Sequence, residues 1–151
     1  MSGDVFGNGL MPSRNMALVA AFNHKHIFID PTPNVAAAYE ERVRLFNLPR
    51  SQWSDFSSSL ISKGGGVFNR YDKEIPLSSE MRSSLSIPGD APATMDGETL
   101  ITYLLRAKVD LIWNGGIGTY VKARSEAHSD VNDGTNDRVR VNADELQACV
   151  S

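Results

Sequence analysis

A cluster of glycines directly follows an apolar segment in the last third of the chain, an arrangement typical of a ligand-binding loop. Val109–Trp113 (VDLIW) has the composition of a strand buried on both faces, and Asn114–Gly118 (NGGIG) follows it at once. In open α/β sheets, ligands bind outside the carboxyl ends of the strands, where glycines let the backbone approach them closely. We therefore predict that Asn114, Gly115 and Gly116 bind a ligand. A glycine-rich turn without a ligand is the alternative.

A second glycine-rich segment, Gly3–Gly9 (GDVFGNG), lies at the start of the chain, before a predicted short helix. Backbone N–H groups at the beginning of a helix are suited to binding a pyrophosphate. The glycines of this segment do not have the G-x-G-x-x-G spacing of the dinucleotide-binding fingerprint. Spacing alone therefore favours a plain turn.

A polar segment interrupts the first apolar run of the chain, Ala17–Phe22, at Asn23-His24-Lys25-His26. Nucleotide-binding folds place an acid after such a strand, where it binds ribose hydroxyls, and Asn23 offers a weaker hydrogen bond of the same kind. A simple strand-ending turn explains Asn23 equally well. His24 and His26 would share one face of a strand, but no third ligand has a spacing suited to a metal. We favour a solvated or ribose-side role for the histidines.

The composition is that of an ordinary globular domain in a reducing compartment. The 151 residues, 41% of them hydrophobic and 22% charged, suffice for one domain with its own core. A net charge of −3 and scattered basic residues argue against binding to nucleic acid or to an anionic membrane. The single cysteine, Cys149, excludes an internal disulfide. Without an apolar run of roughly 20 residues or a secretory signal, the chain is expected to be cytoplasmic.

Strand-like and helical patterns alternate along the chain. Apolar residues at helical spacing predict one helix from Val35, and Asp96 has the position of an N-cap for another. The stretch between these helices, at about 51–96, is the least regular part and holds a predicted short helix over Ser79–Leu85. The alternation of elements favours a parallel α/β architecture.

Four segments together closely resemble the large, NAD-specific type of bacterial glutamate dehydrogenase. They are Ser2–Gly9 (SGDVFGNG), Leu18–Pro31 (LVAAFNHKHIFIDP), Ser59–Phe68 (SLISKGGGVF) and Val109–Ala123 (VDLIWNGGIGTYVKA). The resemblance covers nearly the whole chain in order, and its first and last strings are long and unusual. It implies a part of the NAD-binding domain near the end of a very large subunit. The reaction of that family is oxidative deamination of L-glutamate to 2-oxoglutarate and ammonia, with hydride passing to NAD.

The resemblance implies that residues 1–151 form a partial domain with an irregular insertion at about 51–96. Its expected architecture is a three-layer, Rossmann-like parallel sheet that lacks its first strand and its C-terminal strands. The glutamate-binding half of the family, with its catalytic lysine and acid, has no counterpart in this sequence. We therefore expect no catalytic residue and no metal site here, and no dehydrogenase activity from the chain alone. The expected partners are the rest of the same large subunit and further copies of it in a homo-oligomer.

The resemblance also changes the interpretation of the first glycine-rich segment, which is now expected to line the dinucleotide site. The cofactor is NAD, and the full set of predicted cofactor-binding residues is Gly3, Asp4, Val5, Gly7, Asn23, His24, Asn114, Gly115 and Gly116. The family has an aspartate where this chain has Asn23, so the preference for NAD over NADP stays open.

Lys63, within Ser62–Gly66 (SKGGG), has the Lys-Gly-Gly context in which glutamate dehydrogenases carry their catalytic lysine. In the family that lysine belongs to the upstream half, whereas this segment resembles part of the nucleotide domain. We interpret Lys63 as part of a cofactor-side or packing loop.

Two other functions stay open. One alternative is a free-standing or degenerate nucleotide-binding module without dehydrogenase activity. The other is a truncated product without function, in which exposed strand edges would favour aggregation. Saturable quenching of Trp113 fluorescence by NADH separates these alternatives, because it requires a formed pocket.

Overall fold

The computed structural model describes residues 10–150, in which short strands and three α-helices alternate. In chain order the elements are β1 (Ala20–Phe22), β2 (His26–Ile29), α1 (Val35–Asn47), β3 (Gly66–Asn69), β4 (Ile75–Pro76), α2 (Ser79–Ser84), β5 (Thr94–Met95), α3 (Gly97–Leu105), β6 (Val121–Lys122) and β7 (Val141–Asn142). Short 3₁₀ turns lie between these elements, at Trp53–Asp55, Ser58–Leu60, His128–Val131, Gly134–Asn136 and Ala143–Glu145. No helix within this range combines the length and the apolar character that crossing a membrane requires.

The helices predicted from Val35, after Asp96 and over Ser79–Leu85 are confirmed, and each begins at a side chain that caps it locally. Residues 10–19 contain no helix, so the short helix predicted after the first glycine-rich segment is not found among the described residues. Asn34 accepts a hydrogen bond from the Ala37 N–H at 3.1 Å and starts α1. Asp96, the predicted N-cap, accepts from the Thr99 N–H at 3.0 Å and starts α3. Such caps satisfy donors that would otherwise lack a partner in the first turn of a helix.

The main sheet is antiparallel, with the strand order β1-β2-β3. Three residues, 23–25, connect β1 to β2, so these strands form a hairpin in which Phe22 faces Ile27. Parallel strands need a crossover of a dozen or more residues, which this connection cannot supply. Among residues 10–150, parallel pairing is restricted to β6 with β7 and to a single bridge between Leu111 and Val150. The chain is thus α/β with mixed sheets, and the prediction of one parallel sheet is wrong.

The segment Val109–Trp113 is not the doubly buried strand that its composition predicts. One parallel bridge, from Leu111 to Val150, is its regular pairing within the described part of the chain. Leu111 and Trp113 are 51% and 64% exposed, whereas Val109 packs against the core. Sequence composition alone predicted burial, but residues 10–150 contain no layer that covers these two side chains.

Both faces of β2 are buried, because its side chains alternate between two hydrophobic clusters. Ile27 and Ile29 belong to a cluster that includes residues of α3 and of β4 and β5. Phe28 points into a second cluster with residues of α1 and with Trp53, whose ring stacks on it at a centroid distance of 4.7 Å. The hairpin therefore lies between two packed layers. Polar groups lie at its two ends, at the turn and at the open end.

Candidate functional site

The side chain of Asn114 shapes the glycine-rich loop that follows it. Its Oδ1 accepts a hydrogen bond from the Gly116 N–H at 3.1 Å, and its Nδ2 donates to the Gly118 carbonyl oxygen at 3.3 Å. Gly116 and Gly118 have φ values of +101° and +89°, which residues with a side chain rarely adopt. The predicted ligand-binding amide of Asn114 is thus engaged within its own loop, and the loop backbone is what faces outward.

Glycines of this loop differ in what surrounds them. A Cβ added at Gly115 or at Gly116 would meet no atom within 4 Å. A Cβ added at Gly118 would lie 2.6 Å from the Tyr120 Oη, so this glycine is required for packing. The open backbone at Gly115 and Gly116 leaves room for another molecule to approach closely.

Asn23 lies at the hairpin turn between β1 and β2. Its Oδ1 accepts hydrogen bonds from the N–H groups of Lys25 and His26, both at 2.8 Å. The oxygen therefore stabilises the turn, as the strand-ending alternative proposed. The Nδ2 of Asn23 donates no hydrogen bond to any described residue. His24, next to it, is exposed.

A buried arginine connects this turn to the second half of the chain. Arg70 is 3% exposed, and its Nη1 donates to the Asn23 carbonyl oxygen at 3.4 Å. Its Nη2 donates to the Oδ1 of Asn136 at 2.9 Å. Asn136 in turn donates through Nδ2 to the Oδ2 of Asp133 at 2.8 Å. The sequence analysis overlooked these residues, because they lie far apart in the chain and form no motif.

The same Asp133 oxygen accepts a hydrogen bond from the N–H of Thr119, the residue after the glycine-rich loop, at 2.8 Å. The Nε of Arg140 donates a hydrogen bond to the Thr119 carbonyl oxygen, also at 2.8 Å. The rings of Phe22 and Tyr120 meet edge to face at 5.0 Å, which brings the end of β1 against the end of the loop. The structure thus brings the Asn23 turn and the 114–118 loop together.

The charge at the centre of this network is a stable carboxylate. Hydrogen bonds from the Asn136 amide and the Thr119 N–H, together with nearby arginine charges, lower the pKa of Asp133 below its usual value. Asp133 is therefore ionised near neutral pH, and it accepts from both donors without competition from a proton of its own.

A second polar cluster lies at the opposite end of the hairpin. Asp30 follows β2 and is fully buried; its Oδ1 accepts from the N–H and the Oγ of Ser62, at 3.1 and 2.5 Å. Its Oδ2 is buried and has no hydrogen-bond partner within the described part of the chain. Asp30 comes after the second apolar run, whereas the sequence pattern predicted a ribose-binding acid after the first. Its contacts tie the end of β2 to the loop that contains Ser62.

Lys63 in that loop is a surface residue. Its side chain is 90% exposed, and its Nζ lies 2.8 Å from the Oε1 of Glu80. The ion pair raises the pKa of Lys63 and lowers the pKa of Glu80 to about 2. A lysine with a raised pKa is a poor proton acceptor near neutral pH, which supports the interpretation as a packing loop. A Cβ at Gly65 would lie 2.4 Å from the Ile29 carbonyl oxygen, so the loop packs tightly on β2.

Within the described residues, no further potential metal ligand joins the pair of His24 and His26. Residues 10–150 contain no group of three or more His, Cys, Asp or Glu side chains placed to hold a metal ion. Burial, and then the neighbouring charges of Lys25 and His24, lower the pKa of His26. Because its pKa is lowered, His26 is neutral near neutral pH.

Four of the predicted cofactor-binding residues lie outside the described residues. These are Gly3, Asp4, Val5 and Gly7, and their role stays a prediction.

Comparison with known proteins supports the resemblance found in the sequence. A model of the bacterial NAD-glutamate dehydrogenase catalytic domain matches residues 1–151. The NAD-specific glutamate dehydrogenases of Mycobacterium tuberculosis and Pseudomonas aeruginosa are each 55% identical to the chain, over 153 and 150 residues. The protein of the same name from Halomonas elongata is 49% identical over 150 residues. Each alignment covers 99% of this chain but only 9% of the relative.

Proposed function

The chain belongs to the family of bacterial NAD-glutamate dehydrogenase catalytic domains, and on that premise we propose that it is the NAD-binding part of a much larger NAD-specific glutamate dehydrogenase. The observation that carries the proposal is identity of 49–55% with proteins of that name over 99% of the chain. The intact enzyme would deaminate L-glutamate oxidatively to 2-oxoglutarate and ammonia. NAD, when bound, supplies the hydride acceptor of this reaction.

The surface shared by the Asn23 turn and the glycine-rich loop is the proposed contact with NAD. Gly115 and Gly116 present open backbone, which suits close approach of a flat or polar group of the cofactor. The Asn23 amide nitrogen donates to no residue in the range 10–150, and the exposed His24 lies beside it. Asn114 contributes by holding the loop in shape. For the pyrophosphate we propose the segment that contains Gly3, Asp4, Val5 and Gly7.

We propose that the rest of the subunit binds the substrate and carries out the chemistry on it. We assign no catalytic residue to the chain, and we expect that the isolated chain turns over no glutamate. The parallel bridge between Leu111 and Val150 supports a further structural proposal. In the intact subunit further parts of the chain would pack on these two segments and cover the exposed Leu111 and Trp113.

Fluorescence titration with NADH tests the proposed function. Trp113 is 64% exposed beside the loop, whereas Trp53 is fully buried in the second core cluster. The part of the quenching that a Trp113→Phe variant of the intact subunit loses is therefore the signal from the site. We expect saturable quenching by NADH, weakened by Asn114→Ala, which frees the loop from its side-chain contacts. NADPH is the matched control, since it differs from NADH by one phosphate. Absence of saturable quenching with either nucleotide would contradict the proposal.

A further inference from the structure

Arg70 follows β3 and is buried between two segments that carry predicted cofactor-binding residues. Its main-chain N–H donates to the Lys25 carbonyl oxygen at 2.7 Å, and its Nη1 donates to the Asn23 carbonyl oxygen at 3.4 Å. Two carbonyl groups of the β1–β2 turn are therefore held by one residue. Because Arg70 is 3% exposed, solvent competes little for these contacts.

The other terminal nitrogen of Arg70 faces away from the turn. Nη2 donates to the Oδ1 of Asn136 at 2.9 Å, and Asn136, itself 7% exposed, donates from Nδ2 to the Oδ2 of Asp133 at 2.8 Å. That oxygen accepts from the Thr119 N–H at 2.8 Å. The contacts form an unbroken path of hydrogen bonds from the turn to the end of the glycine-rich loop.

We propose that Arg70 is a positioning residue of the cofactor site, which fixes the glycine-rich loop relative to the Asn23 turn without touching NAD itself. The inference rests on the proposed function, because it assumes that both segments face one bound dinucleotide. A planar guanidinium suits this task, since its donors point in fixed directions and reach acceptors on opposite sides at once. A lysine at this position would offer one compact charge and could not span both acceptors with the same geometry.

The expected role determines which kinetic quantity changes. Without the path through Asn136 and Asp133, the loop samples more orientations, and the cofactor has to order it during binding. The cost appears as weaker binding of NAD. Turnover at saturating NAD is unaffected, because the groups that carry out the chemistry lie elsewhere in the subunit.

The test uses the intact subunit with Arg70→Met and Arg70→Lys, and Arg138→Met as the matched control. Arg138 is close in sequence to the network, but its side chain is 77% exposed and pairs with Glu98 at 3.1 Å. We expect Arg70→Met to raise the Kd for NADH, read from Trp113 fluorescence, and the KM for NAD, each about tenfold, which lies within the usual range of coupling between sites. Arg70→Lys gives a smaller rise. The kcat and the KM for glutamate stay unchanged, and the control matches the wild type.

Other results distinguish the possible failures. Unchanged Kd and KM for NAD in both Arg70 variants would overturn the inference. So would a parallel fall in kcat and in glutamate affinity, which indicates general structural damage. If Arg70→Met does not fold, Asp133→Ala removes the acceptor near the other end of the same path, and it must weaken NADH binding for the inference to stand. A wild-type subunit that binds no NADH would refute the proposed function instead.

Discussion

Replacement of Gly115 by alanine separates a ligand-binding loop from a simple turn. A Cβ at this position meets no atom within 4 Å, and the φ of Gly115 is not positive, so the folded chain accommodates the methyl group. Alanine also restricts the unfolded chain, which stabilises a protein by about 0.4–1 kcal/mol where the backbone is compatible. The free energy of unfolding is therefore expected to stay constant or to rise slightly.

The same substitution affects a ligand that approaches the backbone. A methyl group forced into a packed contact costs about 1–3 kcal/mol. At about 1.4 kcal/mol for each factor of ten, this corresponds to roughly 5- to 150-fold weaker binding of NADH. The assay is fluorescence titration of the intact Gly115→Ala subunit, together with its urea unfolding curve.

Two other glycines provide the controls for this prediction. Gly89 is equally open, with no atom within 4 Å of an added Cβ, and lies in the loop before β5, so Gly89→Ala is expected to leave NADH binding unchanged and to keep or slightly raise the stability, as Gly115→Ala does. Gly118→Ala is expected to destabilise the fold, because its φ is +89° and the added Cβ would lie 2.6 Å from the Tyr120 Oη. If Gly115→Ala binds NADH as the wild type does, the loop does not approach the cofactor, and the reasoning fails.

Three further predictions concern packing and charge. Gly65→Ala places a Cβ 2.4 Å from a backbone oxygen of β2 and is expected to lower the free energy of unfolding by about 1–3 kcal/mol or more; a urea midpoint equal to that of Gly89→Ala would contradict the packing argument. Arg42 is fully buried, its two terminal nitrogens have no hydrogen-bond partner among residues 10–150, and burial lowers its pKa, so Arg42→Met should stabilise the chain by about 1 kcal/mol or more, with a lower urea midpoint as the opposing result. Lys63→Met should raise the pKa of Glu80 from about 2 towards its model-compound value of 4.5, as measured by carboxyl NMR titration. Because the pKa of Glu80 is lowered in the folded state, the ion pair contributes stability above pH 4.5 that is lost as the pH falls towards 2. A Glu80 pKa that the mutation leaves unchanged would show that the ion pair does not cause the lowered value.

Local signals explain what could be predicted of the fold from the sequence. The helices from Val35 and from Asp96 begin at polar side chains that cap them within three residues, so nearby residues contain the information. The hairpin at Asn23 was harder to predict, because two apolar runs separated by polar residues fit either parallel or antiparallel pairing. The turn chemistry of Asn23, whose oxygen binds two N–H groups, decides the pairing.

Some residues of the candidate site could be predicted from the sequence, and others could not. The Asn114–Gly118 loop was recognisable because three of its five residues are glycines. The path from Arg70 to Thr119 was not, since the hydrogen bonds of Arg70 reach Asn23, 47 residues away, and Asn136, 66 residues away. Arg70 and Asn136 carry no spacing signal, and only the folded chain shows that they are partners. Burial of Val109–Trp113 was predicted from composition, which does not reveal whether a covering layer is present.

The structure of the intact subunit with bound NADH tests the central claim most directly. The account predicts that the cofactor lies against the backbone of Gly115 and Gly116 and within hydrogen-bond distance of the Asn23 turn, with the hydrogen bonds of Arg70 to Asn23 and Asn136 intact. A cofactor bound at another surface of the subunit, with the 114–118 loop free of contact, would contradict it.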